Sequence, residues 1–182
     1  MTITVKPESF TFVAFEAAAI RRVASTLVEA LSLSEIDVVV EVDETTPLAR
    51  TKVDVGDVVT IRAESGAFED TRKPRHLSEN ATATSLGRVL LRARDRLSGS
   101  FGEAPPDDEL SLAQMAAWET YCIGRLERLG IAVNQQRWRY NFRNRHGFHD
   151  QSDAGFDQLW SSDGLTWGEL DQISRAAVPA DA

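Results

Sequence analysis

A chain of 182 residues with 42% hydrophobic and 26% charged side chains can bury about 70% of its extended-chain surface, enough for a core without staples. Its one cysteine, Cys122, excludes an internal disulfide and a cysteine-rich zinc site, and the expected cofactor set is none. No stretch approaches the ~20 apolar residues needed to span a bilayer, and no basic region followed by an apolar run opens the chain, so the expected setting is cytoplasmic, without a membrane partner.

Thr2 to Lys6 alternates polar and apolar and reads as a short strand ended by Pro7. From about Ser9 to Ser32, Val13, Ile20, Ala24, Leu27 and Leu31 recur with helical spacing. Ile36 to Val42 is a strand, and Arg50–Val55 with Val58–Glu64 is a hairpin around Gly56-Asp57. Phe68 to Ser78 reads as a charged connector in which Pro74 forbids regular helix. A long helix runs from about Ser78 or Glu79 to Leu97, with Arg88, Arg92 and Arg96 as a basic row. Phe101 to Asp108, with Pro105-Pro106, is a loop. Asp107 to Leu129 is a further helix with acidic residues in its first turn and Gly130 beyond its end. Two short helices close the chain, about Ser152–Trp160 and Thr166–Ala177, the second with capping-box spacing at Thr166 and Glu169.

These elements predict an α+β fold: a small antiparallel or mixed sheet of three or four strands in the N-terminal part, packed with several helices, and a helical C-terminal half. The expected organisation is one domain over 1–182, with a sheet-containing part of about 1–100 and a helical part of about 107–178.

The formal net charge of −8 conceals a pattern. Residues 1–70 carry net −7, residues 71–147 net +5 and residues 148–182 net −6. A basic middle between acidic flanks either neutralises itself against them or presents an anion-facing surface on an acidic body. The stretch from Asn134 to Asp150 concentrates that question. Arg137, Arg139, Arg143 and Arg145 fall within nine residues with no acidic residue among them, interleaved with Trp138, Tyr140 and Phe142. Strict alternation from Arg137 to Arg143 fits a strand. Asn134 as N-cap, basic residues at the far end and Gly147 fit a helix, which is the favoured reading. On a helix, Trp138 and Phe142 face the core and Tyr140 lies nearly opposite, among guanidinium groups. On a strand, the aromatics face inward and the arginines form one outward row.

Guanidinium groups bind carboxylate and phosphate bidentately. The leading expectation is a non-enzymatic interaction or regulatory protein that engages an acidic partner through Arg137, Arg139, Tyr140, Arg143 and Arg145. An alternative is an enzyme acting on a small anionic substrate, with an arginine clamp and His146 or His149 as acid–base group. A further alternative is RNA or single-stranded DNA stacked on the aromatic rings. His146-x-x-His149-Asp150 with Asp153 offers metal-type ligands, but the spacing straddles a glycine turn, and the expectation is that no metal is held. Glu64, Glu69 and Asp70 form a carboxylate group whose bland reading is solvated loop charge. No phosphate loop, dinucleotide fingerprint or nucleophile elbow occurs.

The order helix, short strands, helix, helix is similar to a small zincin-like peptidase. That resemblance implies HExxH on the helix after the sheet, where this chain has Ser78-Glu79-Asn80-Ala81-Thr82; it therefore implies neither the metal site nor peptidase activity. The phrases Ser65-Gly66-Ala67-Phe68-Glu69-Asp70, Tyr140-Asn141-Phe142-Arg143-Asn144-Arg145-His146-Gly147-Phe148 and Gly164-Leu165-Thr166-Trp167 resemble parts of actinobacterial-type proteins without an assigned activity. This likeness implies a bacterial cytosolic setting and no mechanism.

Overall fold

A computed structural model describes residues 2–178. The chain is α+β, with a mixed four-stranded sheet in its N-terminal part and helices in its C-terminal half. It divides into two compact units, Met1–Arg94 and Asp95–Ala182.

In the first unit, strand β1 (Ile3–Lys6) is joined to β2 (Asp37–Asp43) through helix α1 (Ala17–Ala30). Parallel neighbours need such a crossover, and α1 supplies it while packing on β1. Strands β3 (Thr51–Val55) and β4 (Val58–Glu64) form the expected hairpin, and β4 then pairs parallel with β2. The order is β1-β2-β4-β3. Alternation places Ile3, Val5, Val38, Val40, Val42, Val53, Val59, Ile61 and Ala63 on one buried face. Lys6, Glu41, Arg62 and Lys52 fall on the other.

Two expectations for this unit need correction. Helix α1 starts at Ala17, not near Ser9. The backbone N–H groups of Thr11 and Phe12 donate to the Glu44 carboxylate, and Ala14 N–H donates to Arg75 O at 2.8 Å. Val13 and Phe15 are thus buried from extended chain, and their helical spacing with Ile20 is incidental. The connector 68–78 contains strands β5 (Glu69–Asp70) and β6 (Lys73–Leu77), which pair antiparallel. Pro74 bars helix but not a place in a two-stranded edge. Helix α2 (Glu79–Leu97) follows.

The second unit is organised on α3 (Leu112–Arg128), whose Ala117, Trp118, Tyr121, Cys122, Ile123 and Leu126 are buried. This helix begins at Leu112 rather than Asp107. Ser111 and Gln114 form a reciprocal capping box, while Asp107 remains in the loop and accepts from Arg96 at 2.8 Å. Helices α4 (Gln135–His146), α5 (Asp150–Ser161) and α6 (Trp167–Ala176) pack around it. Thr166 and Glu169 form the anticipated capping box. Phe101 stacks on Trp118 at 4.9 Å, and Trp118 lies 5.5 Å from Trp167. Each such aromatic pair adds roughly 0.5–1.5 kcal/mol beyond its buried area. At Gly124 a Cβ would lie 2.2 Å from the carbonyl oxygen of Trp160, so α3 and α5 meet at a distance only glycine permits.

The polar centre of this unit is a buried ion pair. Arg125 donates from both terminal nitrogens to Asp95 at 2.7 Å, and Trp118 Nε1 donates to the same carboxylate at 2.8 Å. The guanidinium lies 3.8 Å above the Tyr121 ring. Burial alone would disfavour the charged guanidinium; the hydrogen bonds and charge of Asp95 outweigh it and raise its pKa. Removing one member leaves the other buried and unpaired, at a cost of about 3–5 kcal/mol. Asp95→Asn is therefore expected to lower unfolding free energy by that amount in urea titration followed by circular dichroism. Asp95→Leu combined with Arg125→Met should recover most of it; single variants with less than about 1 kcal/mol of loss would show that the pair does not anchor the core.

Candidate arginine and aromatic surface on α4

Residues 134–146 are helix, as the capping signals predicted. The Asn134 side chain accepts from Arg137 N–H at 3.0 Å, and Gly147 ends the helix with φ +100°. Arg143, Arg145 and His146 occupy the last turn, where the helix dipole favours positive charge.

The helix sorts its arginines into two kinds. Arg139 and Arg143 turn toward α5. Arg143 bonds bidentately to Asp153 at 2.7 and 2.6 Å. Arg139 lies 3.5 Å from Asp153, bonds to Asp157 and covers the Phe156 ring at 4.3 Å. The Arg143 hydrogen bond, with help from Arg139, holds the Asp153 carboxyl below the usual range, and Asp153 in turn raises Arg143. These two arginines neutralise the acidic C-terminal segment, which is the internal reading of the charge pattern.

Arg137 and Arg145 are exposed and have no ion-pair partner among the described residues. They stand eight residues apart on one row, about 12 Å along the axis, with Asn141 between them. Beside this row Tyr140 is 58% exposed and Phe148 61% exposed. Their rings meet edge to face at 5.7 Å. The chemical content of this helix is an exposed aromatic pair, with the Arg143 guanidinium 5.9 Å from the Phe148 ring, and two exposed arginines without an ion-pair partner among the described residues.

The histidines do different work. His146 is buried, with its ring stacked on Phe142 at 3.8 Å. Its Nδ1–H donates to Phe142 O at 3.1 Å, which leaves Nε2 to accept from the Ser174 hydroxyl at 2.9 Å. His149 is the N-cap of α5: its Nδ1 accepts from Ser152 N–H at 3.3 Å, and its Nε2–H donates to His146 O at 2.9 Å. All four ring nitrogens are engaged: His146 Nε2 joins α4 to α6, His149 Nε2 joins the α5 cap to α4, and the other two bond within their own helix or cap. His146, His149, Asp150 and Asp153 do not converge, and no group of three or more metal-type ligands does so among the described residues. Glu64, Glu69 and Asp70 are engaged separately, by Arg50, by Arg75 with Ser65, and by Arg72 N–H.

Sequence reasoning missed Asp95–Arg125, whose members lie 30 residues apart. It also treated Arg88, Arg92 and Arg96 as a basic row. Arg88 bonds to Thr51, Arg92 is buried and Arg96 bonds to Asp107. Among the described residues no helix is long and apolar enough to cross a membrane. No family model matches the chain, and no curated protein or solved structure matches it.

Burial pushes the His146 imidazole below its ordinary value; the Phe142 carbonyl opposes this and His149 adds to it. The folded state thus favours the neutral ring. Its stabilisation is complete above the unfolded pKa of about 6.5 and is lost as pH falls from there toward the lower folded value. Thermal unfolding followed from about pH 7.5 to about pH 5.5 should show falling stability in the wild type and a flatter profile in His146→Gln. Equal slopes would assign the dependence to other groups.

Proposed function

We propose that this is a non-enzymatic interaction protein whose α4 surface binds an acidic partner protein through Arg137, Tyr140 and Arg145, with Phe148 beside them. One observation carries the reading: α4 carries both the exposed Tyr140, paired with Phe148, and two exposed arginines that have no carboxylate partner among the described residues. Aromatic and arginine side chains together are the composition of binding hot spots, where the ring supplies buried area and the guanidinium supplies orientation. Arg139 and Arg143 contribute by fixing α4 on α5 rather than by contacting the partner. His146 and His149 likewise support the surface from behind, which disfavours an arginine clamp with histidine acid–base catalysis.

The partner side is expected to offer Asp or Glu side chains that meet Arg137 and Arg145, whose positions lie about 12 Å apart along the helix axis, around an apolar or aromatic anchor. Fluorescence anisotropy with labelled peptides tests this, using an acidic aromatic peptide, its Gln/Asn counterpart and single-stranded DNA. The acidic peptide should bind, and Arg137→Glu with Arg145→Glu should weaken it at least tenfold, on the order of 1.4 kcal/mol. Tyr140→Ala should weaken it similarly, and added salt should weaken the wild type. Equal binding by wild type and the double variant would remove the reading; binding of DNA alone would replace it with a nucleic-acid surface.

A further inference from the structure

The three parallel strands of the first unit end together, β1 at Lys6, β2 at Asp43 and β4 at Glu64. A groove of about 610 Å³ opens there. That volume falls in the range of roughly 300–1,000 Å³ typical of small-molecule sites. The carboxyl ends of parallel strands are also where open sheets place ligands, because the chain must leave the sheet there and the departing loops form walls.

The groove is lined by charge in a definite order. Lys6, Glu41, Arg62 and Lys52 form one cross-strand row, since each is the register partner of the next. Glu41 lies 3.6 Å from Lys6 and 3.4 Å from Arg62. Arg62 Nη1 donates to Asp54. Glu64 lies 3.5 Å from Arg50. Asp43 accepts from the Thr45 hydroxyl at 2.6 Å and from Thr45 N–H at 2.9 Å, which lowers its pKa. Each carboxylate of the groove therefore has a partner. Lys52 is exposed and has none among the described residues. It also stands directly opposite Arg62, whose charge Glu41 and Asp54 offset.

Pro7 lines the groove beside the charged row, whereas the Val42 and Ala63 side chains turn to the opposite, buried face of the sheet. The loop that carries Arg50 is tied down by Ser65 Oγ donating to Thr46 O at 3.0 Å and by Arg75 donating to Glu44 O at 3.4 Å. The site thus combines one open cation, Lys52, with the apolar ring of Pro7.

We propose that this groove binds a small organic anion, a carboxylate or phosphate monoester held by Lys52, Arg62 and Arg50, with its apolar body against Pro7 and the aliphatic stems of the lining side chains. The proposal is independent of the α4 surface. Isothermal titration with benzoate, phenyl phosphate, inorganic phosphate and neutral benzamide tests it. Benzoate or phenyl phosphate should bind with one-to-one stoichiometry and benzamide should not. Whichever of the two anions binds more tightly identifies the headgroup, and inorganic phosphate should bind more weakly for lack of an apolar body. Lys52→Glu should weaken binding by about tenfold or more and Lys52→Arg should retain it. Arg137→Glu with Arg145→Glu should leave it unchanged. Because Lys52 is exposed, its variants are expected to fold, which circular dichroism verifies. Absence of binding by both organic anions, or equal affinity in Lys52→Glu, overturns the proposal. Loss only in the Arg137/Arg145 variant overturns it too, and places the anion on α4.

Discussion

Arg125 carries a permanent charge into the interior of the helical unit, and Asp95 meets it there with both carboxylate oxygens. The pair is fully engaged: Trp118 Nε1 donates to Asp95, and the Tyr121 ring lies under the guanidinium. Desolvation makes such a pair expensive, so its net contribution to stability is small compared with the cost of breaking it. Its effect is on geometry. Asp95 can satisfy Arg125 and Trp118 only at one rotation of α3, and that rotation sets Trp118 and Tyr121 against Phe101 and turns Gly124 toward Trp160. Arg128 then donates to the carbonyl oxygens of Trp160 and Ser162 at the end of α5. The placement of α5 against α3 follows from that rotation.

With α5 placed, Asp153 and Asp157 become the acceptors for Arg139 and Arg143. The sorting of the arginines on α4 therefore follows from the core and not from the segment's own composition. Helical spacing puts positions 139 and 143 on the flank that faces α5, and 137 and 145 on the row that does not. Four arginines without a local acid looked like one surface; they are two structural ion pairs and two open charges. His146 and His149 belong to the structural side of this division, because each ring nitrogen is committed to a backbone group or to Ser174.

The fold was legible wherever local chemistry decides it. The alternation of Val38, Val40 and Val42, the Gly56-Asp57 hairpin, the Asn134 cap and the Thr166–Glu169 box all speak through neighbours in sequence, and each was readable. The errors lie where a distant group intervenes. Residues 9–16 have a helical pattern, but Glu44 captures Thr11 and Phe12 N–H groups from more than 30 positions away. Asp107 and its acidic neighbours suit a first helical turn, but Ser111 with Gln114 is the stronger cap and Arg96 claims Asp107. Site chemistry followed the same rule. The exposure of Tyr140 was foreseeable from helix geometry, whereas the division among the arginines needed the position of α5. The groove of the first unit was invisible because its charges come from four strands and only register brings Lys6, Glu41, Arg62 and Lys52 into line.

Charge that remains after internal pairing is the informative quantity in an acidic chain of this kind. A cation at the surface of a protein with net −8 has many carboxylates to choose from, and many of the cations here have taken one. Among the described residues Arg137 and Arg145 have not, and they share α4 with Tyr140, which exposes more than half its surface. Lys52 has not, and it lines a groove with Pro7. A solvated cation costs nothing in water, but exposed apolar surface gains nothing from water, and an anion with an apolar body covers that surface and pairs the cation. That shared chemistry supports the proposal of a macromolecular site on α4, where positions 137 and 145 lie about 12 Å apart along the helix axis, and of a small-molecule site where the strands converge on a groove.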